Sequence, residues 1–148
     1  MDSRIAQFVE RHPDAAMITL RGDGSSHMAR IELAVVDGRL WSSGAEDLVR
    51  TRNLRCDRRC SLFVFGPHPD WVGLETEVNL LDGVDSPQLH VKLMNERHKG
   101  LAPEGMVMGH DDRIGGDRLY SMDEYTRHIA CEKRLIYDFE VKRAYGNF

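Results

Sequence analysis

The sequence predicts a mainly β protein: a small antiparallel barrel, closed or half-closed, with three or four helices at its periphery. Six short β-rich runs can be read along the chain, and most are joined by hairpin-type connections. Asp37-Gly38, set between two apolar runs, is the two-residue signal for a type I′ hairpin. Strands and helices do not alternate regularly and no G-x-G-x-x-G occurs, which disfavours a doubly wound parallel sheet. The length of 148 residues fits one domain spanning residues 1–148, enough to bury roughly 70% of the unfolded surface without staples.

The elements follow in order. Ser3 to His12 reads as a helix, with Ile5, Phe8 and Val9 at helical spacing, a cap at Asp2 or Ser3, and Pro13 as its stop. Ala15 to Arg21 is a strand, closed by Gly22-Asp-Gly-Ser-Ser26. His27 to Val36 alternates imperfectly and is paired with Arg39 to Ser43 through the Asp37-Gly38 turn. Ser42-Ser43-Gly44 is read as a break, followed by a helix from Ala45 to about Cys56 and a strand from Cys60 to Phe65. Trp71 to Leu81 is the next strand. Ser86-Pro87 opens a helix to about Lys99, with proline at its first turn. Leu101 to Leu119 holds four glycines and no clear period, so it is read as a long loop, the kind often used as a lid. Ser121-x-x-Glu124 is a capping box for a helix to roughly Cys131, and Arg134 to Val141 is the last strand.

Composition bounds the function. A net charge of −4 argues against general nucleic-acid binding, including over the arginines at 50–59. No run reaches the length of a membrane span, and Met1-Asp-Ser-Arg-Ile-Ala lacks the pattern of a secretory signal. Three cysteines without C-x-x-C spacing fit a reduced, cytoplasmic setting.

The stretch Leu40–Phe65 is the chemical focus. Two hydroxyls and a glycine stand where a strand is expected to hand over to a helix, with Arg50 and Arg52 beyond them. Backbone N–H groups, hydroxyls and a guanidinium together suit a phosphate or another anion. The plainer alternative makes Ser42 and Ser43 helix caps and the arginines a solvated face.

These pieces, in their order and spacing, resemble the split β-barrel flavin-binding proteins related to pyridoxamine 5′-phosphate oxidase. The closer likeness is to the branch using the deazaflavin coenzyme F420. The segment Arg50-Thr-Arg-Asn-Leu-Arg-Cys-Asp-Arg-Arg-Cys-Ser-Leu-Phe-Val64 carries most of it. Asp23-Gly24, Trp71 and Arg134-Leu-Ile-Tyr-Asp-Phe-Glu-Val-Lys-Arg-Ala-Tyr-Gly146 add support, and only about Ser86–Leu119 falls outside it. The resemblance implies a six-stranded antiparallel split barrel that holds F420 or FMN across a homodimer interface. It also implies a small organic substrate and hydride transfer. Carried over residue by residue, Arg50 stands for the phosphate-binding lysine, with Thr51 beside it, and Ser43, with Ser42 adjacent, for the hydroxyl at the end of the third strand. Arg30 falls near the phosphate or ring, and Trp71 near the ring of the other subunit. The sequence departs from the pattern at Thr76-Glu-Val78, where the family has a small Gly-Thr-Ala run. That departure keeps a second reading open: a non-catalytic flavin or F420 carrier, or a ligand-binding barrel.

Nothing selects a catalytic acid or base among His98, His110 and His128. His110-Asp111-Asp112 reads as a charged loop rather than a metal site, since ligands must converge from fixed elements. Cys60 opens an apolar strand and reads as core. Phe63, Phe65, Tyr137 and Phe139 are spaced for strand faces, hence core or dimer seam.

Overall fold

The computed structural model describes residues 1–148. In chain order the elements are α1 (Ser3–Arg11), β1 (Asp14–Leu20), β2 (Ser26–Glu32), β3 (Ala34–Val36), β4 (Arg39–Ala45), α2 (Val49–Cys56) and β5 (Arg59–Phe65). There follow β6 (Trp71–Leu81), α3 (Ser86–Arg97), β7 (Met106–Asp111), β8 (Gly116–Ser121), α4 (Met122–Cys131) and β9 (Arg134–Asn147). No helix is long and apolar enough to cross a membrane.

Seven strands form one curled antiparallel sheet in the order β2-β1-β5-β6-β9-β4-β3, and β7-β8 form a separate hairpin. The expected six strands become seven because the run from Ser26 to Val36 changes partner midway. Its first half pairs with β1, which begins only at Asp14, and its second half pairs with β4. Between them the Leu33 N–H donates to the carbonyl of Pro13 at 2.8 Å. The two edge strands of the sheet are thus contiguous in sequence, and this run closes the half-barrel. Asp37 and Gly38 both have positive φ, 49° and 75°, the geometry a type I′ hairpin requires.

Two hydrophobic cores result from the two faces of this sheet. The barrel interior packs Met17, Leu33, Leu40, Leu62, Leu74 and Phe139 against one another, with Phe8 of α1 and Leu54 of α2 closing its ends. Each such side chain removed from water contributes about 1.5–3 kcal/mol. On the outer face of β3, β4 and β9, Val36, Trp41 and Ile136 pack against Leu93 of α3, Ile129 of α4 and Val107 of β7. The stretch expected to be a loose loop is therefore mostly a hairpin fixed to the second core, with Val107 and Tyr120 directly paired and buried. Its alternation is masked because Gly109 and Asp111 occupy inward positions. Asp111 is only 5% exposed, and both Arg113 (2.9 Å) and Arg118 (2.7 Å) neutralise it.

The start of α2 also differs from expectation. Ser42, Ser43, Gly44 and Ala45 do not break β4 but complete it, paired with Tyr137, Ile136, Leu135 and Arg134 of β9. The helix begins four residues later, and its N-cap, Leu48, has no side-chain cap bond, so neither serine caps it. Gly44 is required there, because the Tyr137 ring occupies the space a β-carbon would fill. β9 in turn runs to Asn147, six residues past the expected end, because the long β6 supplies it with a partner throughout.

The face of β2-β1-β5-β6 opposite the barrel interior carries no helix. Cross-strand register places Arg30, Ala16, Phe63, Gly73 and Tyr145 in one row across it, with Trp71 and Phe65 in the next. Met28, Phe65 and Tyr145 are 71%, 52% and 47% exposed. Gly73 makes room for the Tyr145 ring.

Candidate functional site

Arg50 sits in the first turn of α2, with its guanidinium 5.8 Å from the centre of the Tyr137 ring. Its Nε is buried and has no hydrogen-bond partner in the chain. The neighbouring arginines are mostly engaged. Arg55 binds Glu46 and Asp82, Arg58 donates to the Val78 carbonyl and to Asn79, and Arg59 pairs with Asp57. A buried guanidinium donor without an acceptor is costly, and an oxyanion is its natural complement.

Thr51 is fully buried. Its Oγ1 donates to the Ala45 carbonyl at 2.6 Å and also meets the Tyr137 hydroxyl. Because the threonine proton goes to Ala45, the Tyr137 phenol must donate to Thr51, leaving its own oxygen with acceptor capacity beside Arg50. Burial raises the pKa of Tyr137, with the Thr51 bond and the charge of Arg50 acting against it. Thr51 thus ties the start of α2 to β4 and β9 and holds Tyr137 beneath Arg50.

The two serines point in opposite directions, as consecutive strand residues must. Ser42 faces the barrel interior and donates to the Glu32 carbonyl at 2.8 Å. Ser43 faces outward, on the side of β4 away from Tyr137. Its Oγ lies 2.9 Å from His90 Nε2 and accepts from Arg134 Nη1 at 3.2 Å. Arg30 is on the open sheet face, paired with Asp14 at 2.9 Å, and its side chain is 80% exposed. Trp71 stacks on Phe63 on that same face, with ring centroids 5.1 Å apart and planes 10° from parallel, while Tyr145 abuts its edge.

Of the six sequence-derived candidates, the chain therefore groups Arg50 with Thr51, and Arg30 with Trp71 on one sheet face. Ser42 and Ser43 lie apart from both groups. None of the well-formed clefts of the chain is lined by Arg30, Arg50, Thr51 or Trp71. Thr76 and Val78, which replace smaller residues of the family pattern, point into the barrel, where Thr76 Oγ1 donates to the Cys60 carbonyl. Burial pushes the Cys60 thiol up to about 12, which makes it a core group and not a nucleophile.

Sequence reasoning passed over Arg134 and His90 as polar residues and read Tyr137 only as core or dimer seam, yet the fold brings all three into play. Only the i, i+4 spacing of Ser86 and His90 gave a signal: the His90 ring bonds the Ser86 carbonyl at 2.9 Å. No three His, Cys, Asp or Glu side chains converge in a metal-binding arrangement.

The curled antiparallel sheet with its peripheral helices is the split-barrel fold of pyridoxamine 5′-phosphate oxidase-like proteins. The protein titled conserved hypothetical protein Rv2991 from Mycobacterium tuberculosis matches at 20% identity and a TM-score of 0.71, over 99% of this chain and 83% of its own. A putative pyridoxamine 5′-phosphate oxidase from Listeria innocua matches at 10% identity and a TM-score of 0.64, over 97% and 95% of the two chains. A structure titled F420 reductase matches at 15% identity and a TM-score of 0.63, over 94% of each. No family model and no curated protein matches the sequence.

Proposed function

We propose that this protein is an oxidoreductase that holds F420 or FMN at a homodimer interface and serves hydride transfer to or from a small organic substrate. The observation that carries the reading is the buried, unpartnered Nε of Arg50, set above a tyrosine whose hydroxyl is bonded to Thr51. Arg50 and the adjoining turn of α2 would take the phosphate. Arg52, which has no acidic partner, would extend the positive charge toward a polyanionic tail. F420 is favoured over FMN, because the Arg50-Thr-Arg-Asn-Leu-Arg wording resembles that branch most closely.

The second copy is argued from the open sheet face. Phe63, Phe65, Trp71 and Tyr145 form an aromatic patch that nothing in the chain covers, with Arg30 in the same row. Exposed patches of this kind, rimmed by ion pairs such as Arg30–Asp14, mark interaction surfaces. A partner seated there would bring its Trp71 toward the ligand, which explains why one chain leaves the candidates dispersed. The cofactor, when bound, supplies the hydride chemistry, and the protein fixes the ring, positions the substrate and excludes water. The three cysteines are all free, in keeping with a cytoplasmic setting.

A second reading, a carrier without turnover, draws on the surroundings of Arg50. The ionisable group beneath it is the buried Tyr137, whose raised pKa makes it a poor proton donor. Absorbance titration of the purified protein with F420 and with FMN tests both readings. Saturable binding with substrate-dependent bleaching or reoxidation supports the oxidoreductase. Binding without turnover across a broad substrate panel gives the carrier, and no binding of either cofactor removes both.

A further inference from the structure

On the far side of β4 from Arg50, a second polar constellation is assembled from four elements. Ser43 of β4, His90 of α3 and Arg134 of β9 line one cleft of about 110 Å³, and Ile129 of α4 closes it. The imidazole of His90 is fully buried, and its protonation pattern is fixed by its partners. The Ser86 carbonyl, 2.9 Å from Nδ1, can only accept, so Nδ1 carries the hydrogen. Nε2 is then an acceptor, and the hydrogen between it and Ser43 Oγ, 2.9 Å away, belongs to the serine. The base is held rigidly, because Ser86 Oγ donates to the Arg134 carbonyl at 2.7 Å and pins the start of α3 to β9.

We propose that Ser43 and His90 are a nucleophile–base pair acting on acyl esters in this cleft. The arrangement meets the geometric test for an activated serine: the nucleophile bonded to a base, and the base oriented by a third group. Arg134 Nη1, 3.2 Å from Ser43 Oγ, stabilises the negative charge that builds beside that oxygen. The polar groups around the cleft contact one another. Glu132 pairs with Arg134 at 2.6 Å and with His128 at 3.1 Å, and Asp112 lies 3.1 Å from His110. Met94 and Ile129 offer an apolar wall to an acyl chain.

The steps balance without any cofactor. Ser43 Oγ adds to the ester carbonyl carbon as its proton passes to His90 Nε2. The bond from that carbon to the alcohol oxygen breaks, and the alcohol leaves with the proton, giving an acyl-serine. Water, deprotonated by the same nitrogen, attacks the acyl carbon, releasing the carboxylic acid and restoring the serine hydroxyl. None of these steps involves Arg50, so the pair stands or falls independently of the cofactor reading.

Labelling the intact protein with a fluorophosphonate probe, followed by peptide mass spectrometry, tests the proposal. The expected adduct is on Ser43. It should be absent in Ser43→Ala, unchanged in a control at the exposed Ser61 (Ser61→Ala), and reduced at least about tenfold in His90→Gln, in line with loss of a general base. Hydrolysis of p-nitrophenyl butyrate should fall in parallel. Ser43→Ala, which removes only a half-buried hydroxyl, keeps the test decisive if His90→Gln fails to fold. No adduct at Ser43, an adduct that forms equally in a folded His90→Gln, or ester hydrolysis unaffected by Ser43→Ala would each overturn it.

Discussion

A single glycine shows how closely the residues around Arg50 are fitted. Gly44 lies against the Tyr137 ring, and any β-carbon there would force that ring from its place beneath Arg50. Gly44→Ala should therefore cost about 1–3 kcal/mol of stability in urea unfolding, the usual penalty of overpacking a core. It should also weaken cofactor binding, and unchanged values for both would show that the Tyr137 ring moves freely. His90 carries a different consequence. Burial pushes its pKa down from the ordinary value of 6.5 to about 4. A histidine lowered on folding binds its proton more readily in the unfolded chain. Its contribution is therefore intact above about pH 6.5 and shrinks as pH falls toward 4, by about 3 kcal/mol in all. Arg134, Arg97 and Glu132 all act on the ring, and the two cations reinforce the shift. Unfolding free energies measured at pH 7.5 and 4.5 should differ by more in the parent than in a folded His90→Gln variant. Equal differences would mean that His90 is less buried than the fold requires.

Among the elements, the hairpin β7–β8 with α3 and α4 forms a unit that the barrel does not need for closure. Its side chains fasten it to β3, β4 and β9 through the second core. Val107→Ala removes two methyl groups from a fully buried site and should cost about 2 kcal/mol. If the hairpin is structural, cofactor affinity should not change. A weakened affinity at unchanged stability would instead give the segment a lid role. How well each element could be read from sequence follows from where its determinants lie. Asp37-Gly38 and Ser121-x-x-Glu124 act within a few residues, and Pro87 acts through its own fixed backbone angle in the first turn of α3, so those boundaries are legible in the sequence. Ser42–Ala45 looks like a break because its strand character comes from pairing with β9, about ninety residues away. The β7–β8 hairpin was hidden because a glycine and a buried aspartate hold positions where an apolar residue would have announced a strand.

The outer face of the sheet is covered by helices and hairpin over β3, β4 and β9, and is left bare over β2, β1, β5 and β6. This asymmetry is the main ground for expecting a second copy. Trp71→Glu would place a charge in the Phe63–Tyr145 patch, where solvent already reaches, so the fold should survive. In analytical ultracentrifugation the variant should shift from dimer to monomer and lose cofactor binding together with the shift. A parent that is monomeric at every concentration would contradict the interface. The barrel and its Asp37-Gly38 hairpin were readable from order and spacing along the chain. The separation of Ser43 from Arg50 was not, because strand alternation places neighbours on opposite faces, and only the true extent of β4 decides which.

The most direct measurement compares the dissociation constants of F420 and FMN for the parent and for Arg50→Ala, with thermal unfolding of both proteins recorded alongside. Loss of a charge-assisted contact of about 1.5–3 kcal/mol should weaken binding about tenfold or more, while unfolding is nearly unchanged. Equal affinities in two equally stable proteins would show that the Arg50 guanidinium, with its unpartnered Nε, does not hold the ligand.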